Sequence, residues 1–180
     1  QVLHCPYPYD KAKLIVREMT DLLVLDLVEK KLVTDQIVLT VGYDMESLAD
    51  PRSSYSGPVT TDPYGRKIPK STHSSINLGR KTSSTKVILD AVTELFERIV
   101  DKDLLVRRIN VAANRVVPEA DAHKMECCQQ LDLFTDYEAA REKAEAEEAE
   151  LLREKKMQET LIQIKKRYGK NAILRGMNFE

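Results

Sequence analysis

Along residues 1–118 the apolar side chains change period from two to about 3.6 and back, twice over, and this constrains the fold more than any other feature. Residues 1–7 read as extended, and Pro6 and Pro8 lead to Asp10, an expected helix cap. Residues 11–31 are rich in Leu, Val, Ile and Met, with Ile15, Met19 and Leu22 at helical spacing and Lys13, Arg17 and Glu18 between them, so a core helix is expected there. Residues 36–43 put Ile37, Leu39 and Val41 on one strand face and Val38, Thr40 and Gly42 on the other. Residues 72–79 repeat the pattern with Ser74, Ile76 and Leu78 against His73, Ser75 and Asn77. After the cap candidates Ser83, Ser84 and Thr85, the stripe Val87, Ile88, Ala91, Val92, Leu95, Phe96 and Ile99 predicts a second helix ending near Asp103. Residues 106–117 form the last strand, with Ile109, Val111 and Ala113 facing the core and Arg108, Asn110 and Asn114 facing away.

The order strand, helix, strand, strand, helix, strand predicts an α+β fold, a ferredoxin-like β-α-β-β-α-β sandwich with a four-stranded sheet and two helices on one face. The opposite face then stays bare, polar and short-chained, as a binding surface would be. Residues 44–71 hold four prolines and many Ser and Thr, and read as a loop too long for a routine connection. Beyond Pro118 the composition changes, and Thr135-Asp136-Tyr137-Glu138 has the form of a capping box opening a helix that reaches about Tyr168. Residues 136–150 carry seven acidic and two basic side chains and residues 151–170 seven basic and two acidic, an order that complements the helix macrodipole. Leu151, Leu152, Leu161, Ile162 and Ile164 give the second half a partial apolar face. The expected division is a domain at 1–118, a linker at 119–134 and a charged helix with a tail at 135–180.

A net charge of −1 gives no global reason to expect a nucleic-acid partner, so the distribution of charge must supply one. Cys5, Cys127 and Cys128 show no zinc or disulfide spacing and fit a reducing cytoplasm. No segment approaches the ~20 apolar residues of a membrane span. A chain that starts at Gln1 is expected to be a piece of a longer protein. Catalytic signals are sparse: Asp44 and Glu46 have no third acidic partner and read as a solvated loop, and His4, His73 and His123 lie far apart. No nucleophile elbow or phosphate-binding glycine loop occurs. No catalytic residue, metal site or cofactor is therefore expected in this chain.

Residues 66–115 contain eleven Lys or Arg against five Asp or Glu. Arg66, Lys67, Lys70, Arg80, Lys81, Arg107, Arg108 and Arg115 fall on the loop, strand ends and open sheet, where they could meet phosphates. An ordinary solvated surface would look similar by charge alone. The small neighbours Ser75, Asn77 and Gly79 tip the reading toward DNA, since they let backbone amides approach a phosphate chain. With His73 and Asn110 they complete the expected DNA-binding set. The sharpest local signal is Gln130-Leu131-Asp132-Leu133-Phe134, which resembles the bacterial sliding-clamp-binding peptide. Gln130 would bond at a pocket rim while Leu131, Leu133 and Phe134 enter apolar pockets, with Asp132 between them. The bland alternative is a linker that folds Leu133 and Phe134 back onto the domain.

The stretch Leu32-Val33-Thr34-Asp35-Gln36-Ile37-Val38-Leu39-Thr40-Val41-Gly42-Tyr43-Asp44, then His73-Ser74-Ser75-Ile76-Asn77-Leu78-Gly79 and Val106-Arg107-Arg108-Ile109-Asn110-Val111, resembles the little-finger domain of Y-family (translesion) DNA polymerases. Lys166-Arg167-Tyr168-Gly169-Lys170-Asn171-Ala172-Ile173-Leu174-Arg175-Gly176-Met177-Asn178 is similar to the tail of a Gram-positive-type subgroup. The resemblance implies a module that lies in the major groove beside the template-primer, holds the backbone of double-stranded DNA, and serves translesion synthesis and DNA repair in the SOS response. It also implies a magnesium-dependent nucleotidyl-transferase parent whose carboxylates, including a Ser-x-Asp-Glu segment, belong to a palm domain; no such segment occurs here. A rival reading from another class is a protein-interaction adaptor that uses the polar sheet and long helix without DNA.

Overall fold

The computed structural model describes residues 1–49, 55–125, 137–169 and 172–173. Strand β1 (Val2–Tyr7) leads through Pro8 into helix α1 (Tyr9–Glu29), and β2 (Leu32–Tyr43) runs to the short α2 (Glu46–Ala49). A two-stranded hairpin, β3 (Val59–Thr61) and β4 (Lys67–Pro69), precedes β5 (Thr72–Thr82), α3 (Thr85–Ile99) and β6 (Val106–Asn114). Then follow β7 (Val117–Pro118), α4 (Glu119–Met125) and the long α5 (Tyr137–Tyr168). The main sheet has the order β1-β6-β2-β5, every pair antiparallel, with β7 joined to the start of β2. Helices α1 and α3 pack on each other and on the same sheet face, so the expected β-α-β-β-α-β sandwich is the observed fold.

The core lies between that face and the two helices. Ile37, Leu39, Val41, Val106 and Ile109 come up from the sheet, and Val16, Val24, Ile88, Val92, Leu95 and Phe96 come down from the helices, all out of solvent. Burying each large side chain is worth roughly 1.5–3 kcal/mol, which is why the two periods of the sequence map onto one interior. The face of α1 differs from the expected one: Ala12, Val16, Thr20, Val24 and Leu27 are buried, whereas Leu22 is exposed and Ile15 and Met19 only flank the cluster. Thr20 tolerates burial because its hydroxyl donates to the Val16 carbonyl at 2.7 Å. Pro8, not Asp10, is the residue that caps α1, with no side-chain bond, and Asp10 sits in the first turn where its charge suits the dipole. Ser84 caps α3, accepting from the Val87 amide, and α3 ends at Ile99, short of Asp103.

Residues 44–71 are not the plain loop expected from their prolines. Among the described residues they carry α2 and the β3–β4 hairpin, and Ser47 of α2 accepts from the Leu105 amide at 2.9 Å. Asp44 is also not a solvated loop residue. It accepts from the Glu46 amide at 3.0 Å and lies 3.7 Å from the Arg107 guanidinium, with its side chain only 15% exposed.

The second half of α5 docks on the sandwich. Gln158, 2% exposed, donates to the Ser83 carbonyl at 3.0 Å and the Thr85 hydroxyl at 2.8 Å. Glu154 accepts from the Ser84 hydroxyl at 2.7 Å and the Lys86 amide at 3.1 Å, so it supplements the cap of α3. Ile162 packs against the core and Lys166 reaches Glu29 at 2.7 Å. The docked face is therefore more polar than its leucines suggested, and Leu152 stays in solvent.

Candidate nucleic-acid interface

The uncovered sheet face is built as rungs across three strands. Side chains alternate along each strand and cross-strand neighbours lie about 4.7–4.9 Å apart, so register alone decides which residues meet. Gln36 stands between Asn77 and Asn114, Val38 between Ser75 and Ala112, and Thr40 between His73 and Asn110. Gly42 faces Arg108, which also pairs with Val2 of β1. From the first rung to Arg108 the face runs about 20 Å, roughly six base steps at 3.4 Å each.

Two polar networks hold this surface. Gln36 donates to Asn77 at 3.0 Å and accepts from Asn114 at 3.2 Å, while Thr40 and the His73 ring share a hydrogen bond of 2.8 Å. Between them Ser75 and Ala112 are short, and at Gly42 an added Cβ would lie 3.3 Å from that of Arg108. The face is therefore flat and low at its centre, which lets an extended polyanion approach the backbone. Gln36, Thr40 and Gly42 belong to this surface although the basic pattern did not single them out; the alternation of β2 had put Thr40 and Gly42 on this side and extends to Gln36.

The expected basic residues do not all lie on the face. Arg108 does, exposed and with no ion pair among the described residues. Arg107 is engaged within the chain: between Gly42 and Tyr43 the register shifts so that Tyr43 faces Val106, and Arg107 falls in a bulge where it donates to the His4 carbonyl at 3.1 Å and approaches Asp44. β5 runs past Gly79, where the strand was expected to stop, as far as Thr82; Gly79 adopts φ 76° and the pairing shifts around it. Arg80 and Lys81 sit in that irregular stretch; Lys81 meets Asp35 at 3.3 Å, and Arg115 approaches the same carboxylate at 4.0 Å. Arg66 is locked to Asp62 in the hairpin, at 2.7 Å. Lys67 and Lys70 are exposed and form no ion pair among the described residues. Residues 130–134, the expected clamp peptide, lie outside the described residues, as do Thr135 and Asp136 of the expected capping box.

Among the described residues no group of three or more His, Cys, Asp or Glu side chains gathers to hold a metal, and no helix is long and apolar enough to cross a membrane. A family model described as the impB/mucB/samB family C-terminal domain matches residues 7–133, which takes in the whole sandwich from the end of β1. No curated protein matches the chain.

Proposed function

Since the chain belongs to the impB/mucB/samB C-terminal-domain family, the little-finger domain of Y-family DNA polymerases, we propose that its open sheet face grips template-primer DNA while residues 130–134 tether it to the bacterial sliding clamp. The observation that carries the first half is the pair of layers: helices cover one side of the sheet, and the other is left polar, short-chained and edged by cations. An uncovered sheet face whose apolar side chains are small or β-branched, such as Val2, Val38 and Ala112, with no aromatic among them, is poorly suited to a dry protein interface, whose centre is apolar and aromatic. It suits a backbone-reading contact, in which amides, small polar groups and cations position the duplex without choosing a sequence. The chain supplies grip and placement; nucleotidyl transfer belongs to the palm of the parent polymerase, where magnesium is bound.

Fluorescence anisotropy with a labelled template-primer tests this directly. Ser75→Glu combined with Asn77→Glu puts two carboxylates on exposed positions of the face, and DNA binding should fall at least tenfold, about 1.4 kcal/mol, with the thermal transition unchanged. Leu133→Ala with Phe134→Ala should cost clamp binding more than about a hundredfold, because each large apolar anchor is worth roughly 1.5–3 kcal/mol. DNA binding should survive that change. Undiminished DNA binding by the Glu variant would favour a protein adaptor instead.

A further inference from the structure

We propose that the tip of the β3–β4 hairpin is a stacking post for an unpaired base of single-stranded DNA, with Tyr64 as its platform; this rests on the reading of the chain as a DNA-binding module. The hairpin pairs Val59 with Pro69, Thr60 with Ile68 and Thr61 with Lys67, and closes through Asp62, Pro63, Tyr64, Gly65 and Arg66. The Gly65 amide donates to the Asp62 carbonyl at 3.0 Å, and the Asp62 amide to the Arg66 carbonyl at 2.9 Å. Pro63 presets the first turn position and Gly65, at φ 81°, supplies the left-handed residue that a three-residue hairpin loop needs.

Asp62 then braces the turn. Its carboxylate accepts from the Tyr64 and Arg66 amides, both at 2.9 Å, and from the Arg66 guanidinium at 2.8 Å. Partial burial alone would raise the Asp62 carboxyl, but these bonds and the Arg66 charge hold it below the usual aspartate range. Arg66 in turn lies over the Tyr64 ring, 5.2 Å from its centroid. The tyrosine is nevertheless 83% exposed. Turn tips favour Gly, Pro, Asp, Asn and Ser, and an aromatic ring is not among the residues the turn itself asks for. An exposed ring with a cation near one face matches the stacking surfaces of single-strand binders, whose aromatic side chains carry successive bases.

Duplex bases are already stacked on each other, so such a post finds a free π-face only on an unpaired base. The surroundings fit the flanking phosphates. Across residues 59–70 the cations Arg66, Lys67 and Lys70 face the single anion Asp62, a net charge of +2. The hairpin also joins the sheet at the start of β5, at the same end as His73 and Arg108. A post there meets single strand leaving a duplex that lies on the sheet face.

The test uses the full chain and three labelled DNAs: a blunt duplex, the same duplex with a single-stranded overhang of about ten nucleotides, within the range of single-strand site sizes, and one whose overhang is abasic. The wild type should favour the base-bearing overhang. Tyr64→Ala should lose that preference, about tenfold, the scale of one stacked base, and bind the blunt duplex as before; Tyr64→Phe should keep it. Equal affinity for base-bearing and abasic overhangs, or a Tyr64→Ala loss as large on blunt duplex, would overturn the proposal in favour of phosphate contact alone. If Ser75→Glu with Asn77→Glu abolishes duplex binding while Tyr64→Ala leaves every DNA unaffected, the post is wrong and the sheet reading stands. A wild type that binds none of the three removes both.

Discussion

Replacing Arg108 with Ala separates a phosphate contact from a structural arginine, because its sequence neighbour Arg107 has the same chemistry and a different setting. Arg108 projects from β6 on the open face opposite Gly42, exposed and without an ion pair among the described residues. A cation in that state is free to displace one counterion from DNA, and each such contact contributes about 0.9 to the slope of log affinity against log salt. Arg108→Ala should make that slope shallower by about 0.9. Between 50 and 200 mM salt, one contact of that size changes affinity by roughly 3.5-fold, so the loss is largest at low salt and shrinks as salt rises. Arg107 is already committed to the His4 carbonyl and the Asp44 carboxylate. Arg107→Ala should leave the salt slope unchanged and cost about 1–2 kcal/mol of stability, from one hydrogen bond and a half-exposed ion pair. Anisotropy titrations across the salt range, with urea unfolding beside them, decide the matter. Equal slope changes for the two variants, or none for Arg108→Ala, would refute the placement of the phosphate contact.

Gln158→Ala leaves the half-buried Ser83 carbonyl and the buried Thr85 hydroxyl without their donor, and urea unfolding should show a loss of about 1–3 kcal/mol; an unchanged midpoint would mean that α5 is not held through this side chain. The Glu97 carboxyl bonds Lys13 at 2.6 Å, and that bond and its charge keep it below the usual glutamate value. Its contribution is present above that usual value and is lost as pH falls through the depressed one, so Glu97→Gln should lower the melting temperature at neutral pH and match the wild type in acid. A gap between the two that widens on acidification would reverse the sign of the argument.

What the sequence determined by itself is the set of faces. The alternation in β2, β5 and β6 assigned Ile37, Leu39, Val41 and Ile109 to the interior and His73, Ser75, Asn77, Arg108 and Asn110 to the opposite side, and the stripe of α3 was equally plain, with its cap narrowed to Ser83, Ser84 or Thr85. These are local properties: the direction of a side chain follows from a period of two or 3.6 and needs no distant partner. The Asp62-Pro63-Tyr64-Gly65 turn was not read from the sequence, because the prolines around it suggested only a loop. Tertiary structure alone decided the strand order β1-β6-β2-β5, the bulge that brings Arg107 to His4 and Asp44, and the docking of Glu154 and Gln158 on the start of α3. It also decided which cations are free, because Lys81 and Arg115 find Asp35, and Arg107 finds Asp44, across long stretches of chain. Charge partners and strand neighbours are set by how remote segments pack, and no window of sequence contains both members of such a pair.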